Sequence, residues 1–168
     1  EAVSQFCRSV GLVFIEDCAE AIGSLIGGRH VGAFGDAATF SFFGNKTLTT
    51  GEGGMVFFRE AMRQRDATRL RDHGMSRERK YWHEVIGYNM RLTNLQAAIG
   101  VAQVENAYEF IRLKRLIAET YTVSLSSTKR VELMPVPDGA TSSFWLFPIV
   151  LEDSDERSRI VNSLALLG

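Results

Sequence analysis

The stretch Gly11-Leu12-Val13-Phe14-Ile15-Glu16-Asp17-Cys18-Ala19-Glu20-Ala21 decides the fold class. Its first half is a short apolar run of strand length near residues 12–15 that ends on two acids, as a buried strand of an α/β sheet does. In such sheets ligands bind beyond the carboxyl ends of the strands, which is where Glu16 and Asp17 are delivered. The small residues after Asp17 predict a short helix, with Glu20 one turn on and on the same side.

A second strand end lies downstream. Ala37-Ala38-Thr39-Phe40-Ser41-Phe42-Phe43 is rich in aromatic and small residues and runs into Gly44-Asn45-Lys46-Thr47-Leu48-Thr49-Thr50-Gly51-Glu52-Gly53-Gly54. A lysine placed there is at least partly desolvated, which disfavours the ammonium form and makes the amine a nucleophile. The alternative at this point is a strand-end lysine that snorkels to water.

A carboxylate on one strand end and an amine on the next suit a cofactor that needs both. Pyridoxal phosphate is one: its aldehyde takes a lysine, and its ring nitrogen needs an acid partner to stay protonated. Taken singly, each residue has a plainer reading. Asp17 could cap the following helix, Ser41 could be a strand hydroxyl bonded to backbone, and Asn89 could be a turn residue after Gly87.

Other chemistries are excluded or find little support. A phosphate loop requires Gly immediately before Lys and another Gly five positions earlier; Asn45 and Phe40 stand there instead. Gly27-Gly28-Arg29-His30-Val31-Gly32 does not follow a strand in the dinucleotide-binding spacing. Cys7 and Cys18 form no paired ligand motif with His30, His73 or His83, so no metal is expected, and Cys18 reads as a small buried residue. His73 and His83 are placed on a segment between helices.

The chain of 168 residues is 45% hydrophobic and 23% charged, with 19 basic and 20 acidic residues and a net charge of −1. That balance suggests neither a nucleic-acid nor a membrane partner. With no long apolar span and no paired cysteines, it points to a cytoplasmic protein. The arginines between Arg59 and Arg79 alternate with acids, the pattern of a solvated helix face.

The remaining elements are a helix end at residues 1–9, strands near 37–43 and 54–58, and a helix from about Glu60 to His73. A loop through Tyr81-Trp82 follows. A single long helix then starts at a Thr93 or Asn94 cap and carries Leu95, Ala98, Ile99, Ala102, Val104 and Ile111 on one face to about Val123. Leu133 to Gly139 breaks the pattern, Ser143 to Leu151 reads as a strand, and a last helix runs from Asp153 toward Leu167. Two units are expected: residues 1–125 in a larger domain and 126–168 at the start of a smaller one.

Four motifs in order carry a family resemblance: Ile15 to Ala21; Gly32-Ala33-Phe34-Gly35-Asp36 leading into Thr39-Phe40-Ser41-Phe42; Lys46 with Thr49 to Met55; and Gly87-Tyr88-Asn89-Met90-Arg91-Leu92-Thr93-Asn94. Together they resemble the DegT-type sugar-nucleotide aminotransferases, pyridoxal-phosphate enzymes of the aspartate-aminotransferase fold. The resemblance implies an α/β fold: the central part of a fold type I large domain, a mixed and mainly parallel sheet with flanking helices, plus the start of a small C-terminal α/β domain.

It also implies roles. Lys46 would bond the cofactor aldehyde and move a proton, Asp17 would pair with the ring nitrogen, and Ser41 would give a hydroxyl to the phosphate. Asn89 would reach that phosphate from the neighbouring subunit of a homodimer. Glu20 stands where the family varies, beside the ring, and with Ser41 to Lys46 it resembles the perosamine-synthase-like branch. Relatives with dehydratase activity carry histidine in place of the lysine, so Lys46 favours transamination.

The implied reaction moves an amino group from L-glutamate to a keto sugar nucleotide, first of all a 4-keto-6-deoxyhexose, in surface-polysaccharide or natural-product sugar biosynthesis. The alternative is a non-catalytic or regulatory relative of the same fold. Complete members are roughly twice this length. The 168 residues alone are therefore expected to bind pyridoxal phosphate poorly and to show no turnover.

Overall fold

In a computed structural model that describes residues 1–167, the order of elements is α1 (Ala2–Ser9), β1 (Ile15–Asp17), β2 (Leu25–Ile26), β3 (Arg29–His30), β4 (Ala37–Ser41) and β5 (Gly54–Phe58). There follow α2 (Ala61–Arg71), α3 (Asn94–Glu105), α4 (Ala107–Leu125), β6 (Val131–Leu133), β7 (Ala140–Thr141), β8 (Ile149–Leu151) and α5 (Ser154–Leu167). The sheet that positions the site has the order β1-β4-β5. β1 runs parallel to β4 with Asp17 opposite Thr39, and β4 runs antiparallel to β5 with Ser41 opposite Gly54. Ala37 and Ala38 are buried in the middle strand, where small side chains allow close packing.

The loop Gly32–Asp36 before β4 is gripped from two sides. The Glu16 carboxylate accepts the amides of Gly32 (2.8 Å), Phe34 (2.7 Å) and Gly35 (2.5 Å). Arg59, at the end of β5, donates to the carbonyls of Ala33, Phe34 and Gly35 at 2.7 to 3.2 Å. Ser4 of α1 adds a bond to the Phe34 carbonyl at 3.0 Å, and the Asp36 carboxylate accepts the Phe14 amide at 2.8 Å. A fixed loop of this kind sets the register of β4 against β1. Arg59 thus lies outside the solvated helix face expected for the arginine-rich stretch, because its guanidinium is turned onto backbone carbonyls.

The structure corrects several expectations about elements. The first strand is Ile15–Asp17 rather than residues 12–15. No helix follows Asp17: its Oδ1 accepts the Ala19 amide at 3.1 Å, Cys18 donates to the Thr39 carbonyl at 2.9 Å, and the chain turns into the β2–β3 hairpin. That side-chain-to-backbone bond competes with helix formation. The hairpin turns at Gly27 and Gly28, both with positive φ (57° and 76°), as a two-residue turn between twisted strands requires.

The long helix beginning near Thr93 is two helices. Thr93 caps α3 with a full capping box through Gln96, and the chain bends at Asn106, whose Nδ2 donates to the Ala102 carbonyl at 2.8 Å. Its expected apolar face is largely exposed, including Leu95, Ile99 and Val104. The expected strand 143–151 forms only at Ile149–Leu151, where β8 pairs with β6. Phe144 has φ 50°, a left-handed conformation that no regular strand contains.

Candidate active site

The site is assembled at the carboxyl ends of β1 and β4. Side chains two apart on a strand share a face, so Thr39 and Ser41 point the same way. Thr39 Oγ1 donates to Asp17 Oδ1 at 3.3 Å, which brings Asp17 to that same face. Asp17 is exposed, so its carboxylate is presented to a ligand rather than sequestered. Ser41 Oγ accepts the Phe43 amide at 3.3 Å, and its hydroxyl proton remains available for an anion.

The chain after β4 is folded back by its own backbone and by two threonines. Lys46 N donates to the Phe43 carbonyl at 3.0 Å, Thr50 N to the Phe42 carbonyl at 2.9 Å, and Phe42 N to the Gly53 carbonyl at 2.9 Å. Thr49 Oγ1 donates to the Phe42 carbonyl at 3.1 Å and accepts the Gly51 amide at 2.9 Å; buried Thr50 donates to the Glu52 carbonyl at 2.6 Å. From α3, Gln103 Oε1 accepts the Thr49 amide at 3.2 Å. A loop tied at so many points holds its lysine in one place.

The Lys46 side chain is 12% exposed, and its Nζ lies 3.2 Å from Glu20 Oε1. The same nitrogen lies 3.8 Å from the centre of the Trp145 ring. Asp17 and Ser41 therefore stand at the neighbouring carboxyl ends of β1 and β4, and Glu20 and Lys46 pair with each other from the loops that follow those strands. Asn89 does not join them: it is exposed and forms a bridge with Asp72, and the Tyr88 and Met90 amides on either side bond to the carbonyls of Leu70 and Arg71 at the end of α2.

Cys18, directly after Asp17, is buried, and its thiol is pushed up to about 11 from 9.0. Burial contributes most, and the Glu16 and Asp17 carboxylates add to it. The thiol stays neutral around physiological pH, which fits a packing residue. Among the described residues no group of three metal-ligating side chains occurs, and no helix is long and apolar enough to cross a membrane.

Sequence reasoning missed two residues that support this site. Arg59 looked like one member of a charge run, though its place directly after a strand was a usable signal. Trp145 was absorbed into an expected strand, and nothing local ties it to a lysine 99 positions away.

The set of a carboxylate and a hydroxyl on adjoining strand ends, with an amine on the loop just beyond, fits pyridoxal phosphate, whose ring nitrogen, phosphate and aldehyde call for those three groups. The profile of the DegT/DnrJ/EryC1/StrS aminotransferase family matches residues 1–166. The chain is 44% identical over 165 residues to a GDP-perosamine synthase of Escherichia coli O157:H7, covering 98% of this chain and 45% of that protein. It is 33% identical over 165 residues to a protein of Bacillus subtilis (strain 168) described as a putative pyridoxal phosphate-dependent aminotransferase, EpsN, covering 98% of this chain and 42% of that one. The structure superposes on the aminotransferase TlmJ of Streptoalloteichus hindustanus with a TM-score of 0.89 and 33% identity, over 99% of this chain and 46% of that one. The chain thus spans less than half the length of these relatives, and its fold matches that of fold type I aminotransferases over that span.

Proposed function

The chain belongs to the DegT/DnrJ/EryC1/StrS aminotransferase family, and from that premise we propose that the whole protein transfers an amino group from L-glutamate to the keto carbon of a sugar nucleotide, foremost a 4-keto-6-deoxyhexose. The observation that carries this reading is the placement of Asp17 and Ser41 at the carboxyl ends of β1 and β4, with Glu20 and the largely buried Lys46 paired on the loops that follow. The likeness to a GDP-perosamine synthase supports the choice of sugar class.

Pyridoxal phosphate, when bound, supplies an aldehyde to take up the amino group and a ring that withdraws electrons from the reacting carbon. Lys46 Nζ is the amine that holds the aldehyde. When not bonded to the cofactor, Lys46 Nζ would take the proton from the donor's α-carbon and later deliver one to the sugar carbon that receives nitrogen. Asp17 would hold the ring nitrogen protonated through its opposite charge. Ser41 donates its hydroxyl to the phosphate, Glu20 stands beside the ring, and Asn89 reaches the phosphate of the neighbouring subunit's site in a homodimer.

The test is a coupled assay on the full-length protein with pyridoxal phosphate, L-glutamate and a panel of keto sugar nucleotides. Formation of 2-oxoglutarate and an amino sugar nucleotide is expected with a 4-keto-6-deoxyhexose, and its loss is expected in Lys46→Ala. Turnover of none of the sugars, with cofactor bound, would overturn the reading.

A further inference from the structure

We propose that Trp145 is a positioning residue for Lys46: its indole face and the Glu20 carboxylate form a berth that keeps the amine aimed at the site while it is not bonded to the cofactor. This rests on the reading of Lys46 as the cofactor lysine. That reading requires the amine to be free for part of each cycle and still within reach of the substrate carbon. A lysine on a four-carbon stem is otherwise free to swing into solvent.

The ring is fixed in its place from several directions. Trp145 Nε1 donates to the carbonyl of Asn45, the residue before Lys46, at 2.7 Å. The Trp145 carbonyl accepts Lys114 Nζ from α4 at 3.3 Å, and Arg115 of α4 donates to the carbonyls of Ser142 (3.0 Å) and Gly23 (2.9 Å). Buried Ser143 bonds through its amide to Ser24 Oγ at 3.0 Å. The segment carrying Trp145 is therefore strapped to α4 on one side and to the turn after β1 on the other.

The indole presents its electron-rich face to Nζ at 3.8 Å, and Glu20 Oε1 completes the berth at 3.2 Å. A ring face attracts an ammonium electrostatically, so an aliphatic side chain of similar bulk cannot replace it. Phenylalanine keeps a ring face and loses only the bond to Asn45.

The test uses the full-length protein loaded with pyridoxamine phosphate, in which Lys46 has no aldehyde to bond. The rate of acetic anhydride labelling at Lys46 is read by peptide mass. Trp145→Leu is expected to raise that rate by about 2- to 30-fold, the range spanned by exposed and desolvated ring–ammonium contacts, while Trp145→Phe stays within about 2-fold of wild type on the same scale. A reciprocal measurement keeps the proposal open to refutation if the tryptophan variants do not fold: hydroxyl-radical oxidation of Trp145 is expected to rise in Lys46→Ala. Equal labelling in the Leu and Phe variants, or unchanged Trp145 oxidation in Lys46→Ala, overturns the berth alone. Lys46 labelled as fast with pyridoxal phosphate as with pyridoxamine phosphate overturns the cofactor-lysine reading, and the berth with it.

Discussion

Replacing Glu16 tests whether the loop before β4 holds the site in register. The carboxylate accepts three backbone amides: Oε1 takes those of Phe34 and Gly35, and Oε2 that of Gly32. Glutamine keeps one oxygen, so at best it retains the Oε1 pair as weaker neutral bonds and turns an NH2 group toward the Gly32 amide. A hydrogen bond to a charged group contributes about 1.5–3 kcal/mol, roughly twice a neutral one. Glu16 is half-buried, so water replaces part of what is lost. Glu16→Gln is therefore expected to cost about 2 kcal/mol, and Glu16→Ala, which leaves all three amides without their acceptor, about 3–4 kcal/mol. The assay is urea unfolding of the full-length protein with the slope unchanged, joined to amide exchange, which should quicken at Phe34 and Gly35 in both variants. A cost under about 0.5 kcal/mol with unchanged exchange at those amides would refute the clamp, because surface changes fall in that range.

Gly53 has φ 128°, and a Cβ there would lie 2.5 Å from Leu92 Cδ2; Gly53→Ala is expected to destabilise by about 1–3 kcal/mol and to loosen the Lys46 loop, read as faster labelling of Lys46. Thr93→Ala removes the α3 capping box, whose Gln96 also donates to the Glu52 carbonyl at 3.3 Å, and should cost about 1 kcal/mol in urea unfolding. The Cys18 thiol, raised to about 11 from 9.0, should react slowly with a disulfide reagent at pH 8. Because the unfolded chain loses that proton first, the stability linked to Cys18 is intact below about pH 9 and falls as pH rises toward 11; Cys18→Ala should flatten part of the decline in Tm over that window.

The parts of the fold legible in the sequence were those written in local pattern. The aromatic run ending near the lysine turn and the Thr93 cap each carry their structure in consecutive residues; the acids Glu16 and Asp17 mark the end of β1, but that strand lies later than the apolar run and is largely exposed, and its pairing with β4 joins distant segments. The β2–β3 hairpin goes unread although Gly27-Gly28 lies between Leu25-Ile26 and Arg29-His30, because strands of two residues carry too little apolar pattern to stand out. What was not legible depends on contacts between distant segments. The break at Asn106 turns on one side-chain bond, and Arg59 and Trp145 act through partners far along the chain. Lys46 was expected to be desolvated, and its side chain is largely buried, but the groups that cover it, Glu20 and Trp145, were set by tertiary structure.

The central claim is that Lys46 is the residue that holds the cofactor. Borohydride reduction of the full-length protein loaded with pyridoxal phosphate, followed by peptide mapping, tests it most directly. A phosphopyridoxyl group is expected on the peptide carrying Lys46 and none in Lys46→Ala. Fixation at a different lysine, or a modified fraction unchanged in Lys46→Ala, would contradict it.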